Sequence, residues 1–120
     1  MAENQQRRTR VISVGTIPEL LSLRHVVLQS AGYEVFSTMK MLEAASRIRD
    51  GAFRVLLLCY SVSEEWRNEL IKDFRKFSPE SCIVGITNRP IAQLPKDVDE
   101  LVYGVEGPEI LLNVVRGEAA

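Results

Sequence analysis

Few side chains in this 120-residue sequence have both the type and the setting for chemistry. Cys59 lies near the end of the apolar run from Phe53 to Tyr60. A thiol at a strand end becomes a nucleophile or redox switch when a cation, a histidine or a helix N-terminus lowers its pKa. His25 is the only histidine and falls inside a helical stretch with no reason to reach across, so the plain reading of Cys59 is a small apolar core residue. Cys82, at the opposite end of its own strand, reads the same way. Two cysteines without His or Cys neighbours at zinc spacing make neither a disulfide framework nor a structural metal site. Gly15-Thr16 precedes a helix, where backbone amides can receive an anion, although no glycine-rich phosphate loop accompanies it. Thr87 adds a hydroxyl at another strand end. Trp66 and Phe74 fit a helix packing stripe better than an aromatic cage.

The elements that position these residues alternate in type. Val11 to Val14 is a β-branched run stopped at Gly15, and Pro18-Glu19 opens a helix whose apolar residues Leu20, Leu21, Leu23, Val27, Leu28 and Ala31 recur at helical spacing up to Gly32. Tyr33 to Phe36 alternates as a second strand, and Leu42, Ala45 and Ile48 mark a second helix ended by Gly51. The near-continuous apolar run from Phe53 to Tyr60 has the pattern of a central parallel strand covered on both faces. Ser63, followed by Glu64 and Glu65, caps a third helix carrying Trp66, Leu70, Ile71, Phe74 and Phe77. Cys82 to Ile86 is a fourth strand, Leu101 to Tyr103 a fifth, and Gly107-Pro108-Glu109 starts a last helix with Ile110, Leu111, Val114 and Val115. Pro90 and Pro95 leave no room for a normal helix between them. Five strands alternating with about four helices predict a doubly wound α/β domain with a parallel sheet. Its ligand end is the carboxyl end of the strands, at Gly15-Thr16, Cys59 to Ser61, Thr87-Asn88 and Gly104-Val105.

Composition bounds the rest. A chain with 46% hydrophobic and 26% charged residues fits one globular domain, read as residues 11–116 between a tail at 1–10 and a short one at 117–120. Residues 1–10 hold three Arg and one Glu, leaving 12 basic and 15 acidic side chains elsewhere, which excludes a strongly basic nucleic-acid-binding domain. The apolar runs are far shorter than the roughly 20 residues of a membrane span. The polar N-terminus has no signal-peptide core, so a cytoplasmic location is expected.

The order of elements and several strings resemble the receiver domains of response regulators. The segment Val11 to Leu21 is similar to the family's first strand and loop, and Ser30 to Val35 to its passage into strand two. Phe53 to Tyr60 resembles its phosphoacceptor strand, Ile83 to Thr87 its fourth strand, and Pro108 to Val115 its last helix. The resemblance covers residues 11 to 115 and implies a flavodoxin-like strand order 2-1-3-4-5, here with the fourth helix shortened or missing. It also implies positions for an acid pair, a phosphoacceptor aspartate, a hydroxyl and a lysine. These fall on Gly15 and Thr16, Cys59, Thr87 and Gly104, and only Thr87 matches.

Mg²⁺ binding and aspartyl phosphorylation are therefore expected to be lost, since a hard cation needs anionic oxygens and the phosphoryl acceptor must be a carboxylate. The resulting expectation is a degenerate receiver without enzymatic activity or cofactor, acting in signalling through a protein partner, a histidine kinase or another regulator. It would be a monomer or weak homodimer with no direct contact to nucleic acid or membrane. Ile91, Leu94 and Tyr103 mark a candidate interaction face, with covering of the sheet edge as the plainer role of Ile91 and Leu94. The alternatives are a thiol-switched domain using Cys59 and a small-anion or nucleotide sensor at Gly15-Thr16.

Overall fold

The computed structural model describes residues 8–88, 97–103 and 107–119. Five strands, β1 (Arg10–Val14), β2 (Glu34–Thr38), β3 (Val55–Cys59), β4 (Cys82–Thr87) and β5 (Glu100–Tyr103), form one sheet in the order β2-β1-β3-β4-β5. Every neighbouring pair is parallel. The helices among the described residues are α1 (Pro18–Ser30), α2 (Met41–Arg49), α3 (Glu64–Phe77) and α4 (Pro108–Ala119). The expected doubly wound architecture and strand order are those observed. The segment expected to lack its helix lies, from residue 89 to 96, outside the described residues, as do Ile91, Leu94 and Gly104.

Each strand feeds both faces of the sheet because successive side chains point to opposite sides. Ile12, Val14, Leu56, Leu58 and Ile83 join Ala44, Ile48, Leu70 and Phe74 of α2 and α3 in one core. Val11, Val55, Leu57, Val84 and Ile86 join Leu28, Leu111 and Val115 of α1 and α4 in the other. β3 is buried along its whole length, as its unbroken apolar run requires.

Local signals set the ends. Ser63 accepts a hydrogen bond from Trp66 N at 3.3 Å and caps α3. Gly32, with φ of +99°, turns the chain out of α1 toward β2 at little steric cost. The start of β4 is held by Asp99, whose Oδ2 accepts from Ile83 N at 2.7 Å and from Arg75 at 3.0 Å. That clamp brings the strand after residue 97 onto the sheet edge.

Three details depart from the sequence reading. Leu42 is 76% exposed, and Ala44 takes the buried place on α2, because the stripe facing the sheet is Ala44, Ala45 and Ile48. In α1, Leu23 is 56% exposed while Arg24 is buried: the inward stripe is Leu21, Arg24 and Leu28, spaced by three and four. Phe77 lies at the exposed end of α3, with the Lys76 ammonium 5.4 Å from its ring centroid. The first ladder also takes in Arg10, which pairs with Glu34 at 3.0 Å, and α4 continues to Ala119.

Candidate functional site

The carboxyl ends of β1 and β3 meet closely. A Cβ placed on Gly15 would stand 3.0 Å from Cys59 Cβ, a tight contact, and at ordinary contact distance, 3.6 Å and 3.7 Å, from Ser61 Oγ and Cys59 Sγ. A side chain at position 15 would press on Cys59 Cβ, which would have to give by a few tenths of an ångström to admit it. Thr16 N donates to Ser61 Oγ at 2.9 Å, and Thr16 Oγ1 donates to the Ser61 carbonyl at 3.2 Å. Gly15 N donates to the Thr38 carbonyl at 3.3 Å. Both amides that an anion would use at this turn are taken up internally, which weighs against the anion reading of Gly15-Thr16. Thr38 Oγ1 also donates to Glu43 Oε1 at 2.5 Å, holding that carboxylate on β2.

Cys59 is 2% exposed. Burial pushes its thiol pKa up, but hydrogen bonds from Ser61, a hydrogen bond from Arg24 and the Arg24 charge outweigh it, and the net shift is downward. A cation of the kind that would activate Cys59 is therefore present, though it is not His25. It comes from α1, where Arg24 is 8% exposed. The sequence signal was available in the i, i+3, i+7 spacing of Leu21, Arg24 and Leu28, which puts a charged residue on an otherwise apolar inward stripe. Ser61 falls in the strand-end segment marked from sequence, two residues after Cys59, but its link to Thr16 across 45 residues had no comparable signal.

Of the residues singled out from sequence, Gly15, Thr16 and Cys59 are brought together, and Ser61 and Arg24 complete the group. Thr87 is buried at the end of β4, where it borders a groove of about 290 Å³ with Tyr60, Glu64 and Arg67. Tyr103 pairs in register with Thr87 on β5. His25 stays on its own side, with Nδ1 2.8 Å from Ser37 Oγ. Trp66 and Phe74 pack on the α2/α3 core as a helix stripe. Among the described residues no group of three or more His, Cys, Asp or Glu is placed to hold a metal ion.

No protein-family model matches the chain, and no curated protein matches it by sequence. Solved structures do match. The chemotaxis protein CheY4 of Vibrio cholerae superposes with a TM-score of 0.82 at 18% identity, over 93% of this chain and 99% of that one. A CheY-like receiver domain protein from Methanospirillum hungatei gives 0.80 at 17% identity, over 94% of each chain. The fold is that of a receiver domain. The response regulator TrrA of Thermotoga maritima, solved in complex with Mg²⁺ and BeF, shares this receiver fold with a TM-score of 0.77 at 20% identity, over 91% of this chain and 97% of its own. No helix among the described residues is long and apolar enough to cross a membrane.

Proposed function

We propose that this chain is a pseudo-receiver: a signalling module that binds a protein partner through its surface and is not switched by aspartyl phosphorylation. Its main support is the packing of Gly15 against Cys59. The donors gathered at that mouth are a glycine, two hydroxyls and a thiol, with a guanidinium behind them. Mg²⁺ needs hard oxygen ligands with anionic charge among them, so this donor set does not fit it. A carboxylate at position 15 would also bring its Cβ to 3.0 Å from Cys59 Cβ, a tight contact. TrrA was solved with Mg²⁺ and BeF, whereas these residues offer neither ion a counterpart. On this reading the chain is not an enzyme, takes no metal cofactor, resides in the cytoplasm, and answers to a histidine kinase or another regulator by contact alone.

A second reading, control by thiol chemistry at Cys59, is favoured by the neighbouring Arg24 and the downward pKa shift. The burial of Cys59 weighs against it, because reagents must reach the sulfur. Incubation with acetyl phosphate and Mg²⁺, followed by intact-mass measurement, tests the first reading. No phosphoryl adduct is expected, and a stoichiometric, acid-stable, hydroxylamine-labile adduct would overturn it. Iodoacetamide labelling of Cys59 as fast as that of an activated thiol at neutral pH would move the account to the second.

A further inference from the structure

The α1/α4 face contains a cavity of about 70 Å³. One water needs only about 10–15 Å³ on the same measure, so the space accepts something larger. Its walls are apolar: Leu20 and Val27 from α1, Ile86 from β4 and Leu111 from α4. Among the described residues, Arg24 is the one charged side chain lining it. A guanidinium as deeply buried as this one is costly unless an anion faces it. Yet none of the ion pairs between described residues includes Arg24, and its Cys59 partner is a thiol that carries charge only when ionised. A guanidinium presents five N–H donors in a planar fork that suits a carboxylate, while one sulfur occupies little of that fork.

We propose that this cavity binds a small monocarboxylic acid with an apolar tail, the carboxylate on Arg24 and the tail between α1 and α4. From Leu20 to Val27 is two helical turns, roughly 10 Å, which suits a chain of about four to six carbons. Di- and tri-anions are excluded by the single positive charge and the apolar walls, and neutral alcohols lack the head group that Arg24 selects. Arg24 links the cavity to Cys59, but carboxylate binding there requires nothing of phosphate chemistry at the strand ends.

Hexanoate, with hexanamide as the neutral analogue and sodium chloride at equal ionic strength as the salt control, tests this on the whole chain by amide-resolved NMR. Hexanoate is expected to give saturable shifts at Leu20, Arg24, Val27 and Leu111, with hexanamide binding weaker by about tenfold or more, the worth of a charge-assisted bidentate contact. Arg24→Met should lose that preference. Val27→Phe, which fills the cavity and leaves Arg24 in place, should lose binding of both compounds, and its amide dispersion reports that it is folded. Equal binding of hexanoate and hexanamide, shifts confined to other surfaces, or no saturable shift at millimolar hexanoate would each overturn the proposal.

Discussion

The two faces of the sheet are built on different terms. On the α2/α3 face, Phe74, Leu70 and Ile48 are fully buried, Phe36 and Phe53 meet with ring centroids 6.4 Å apart, and the core side chains are apolar. On the α1/α4 face, α1 turns Arg24 inward and leaves Leu23 and Val26 exposed, and the cavity lies beside that arginine. The α2/α3 face keeps an apolar interior and opens a groove of about 290 Å³ at its β4/β5 end, beside Leu58, Ile71 and Val98. The other gives up packing for a buried charge next to a thiol, and it is this face to which the carboxyl-end group of β3 belongs, since Cys59 shares the side of Leu57 and Val55.

Substitutions in the two cores should make the contrast measurable. Phe74→Ala removes a fully buried ring from the α2/α3 core and is expected to cost about 3–5 kcal/mol in chemical denaturation. Leu111→Ala borders existing empty space and is expected at the low end of its range, about 2 kcal/mol. Equal losses from both would erase the difference between the faces. Gly15→Ala forces a methyl to within 3.0 Å of Cys59 Cβ and should cost about 1–3 kcal/mol, as overpacking does. A neutral result there would mean that β1 does not depend on the close approach to the thiol.

The smallest effect concerns pH. Because the folded thiol pKa lies below its ordinary value, Cys59 contributes stability that is present above that ordinary value and is lost as pH falls through the folded one. Stability of the native chain relative to Cys59→Ala should therefore rise with pH across that interval. In the Arg24→Met background the rise should begin at higher pH, because the cation no longer favours the thiolate. Denaturation midpoints of the paired variants check this, and identical pH curves in both backgrounds would remove Arg24 from the site.

The order of strands and helices was legible because periodicity is local: the unbroken run at Val55 to Cys59 and the Ser63 cap each signal their element within a few residues. The inward stripe of α1 was legible only in part. Leu20, Leu21 and Leu23 all satisfy a helical pattern, and which of them faces the sheet depends on the rotation of α1 against β1 and α4. The Arg24 partner of Cys59 was hidden for a different reason. Ser61 is a local partner two residues on, whereas Arg24 reaches the thiol through tertiary placement, and hydropathy treats a buried arginine on a helix as though it belonged to the solvent side.

The central claim is that the carboxyl ends of these strands hold a thiol–guanidinium group in place of a carboxylate–metal one. Titration with Mg²⁺ and beryllofluoride, followed by amide-resolved NMR, tests it most directly. The resonances of Gly15, Thr16, Cys59 and Thr87 are predicted to remain where they are. Saturable, Mg²⁺-dependent shifts at those four residues would contradict the account.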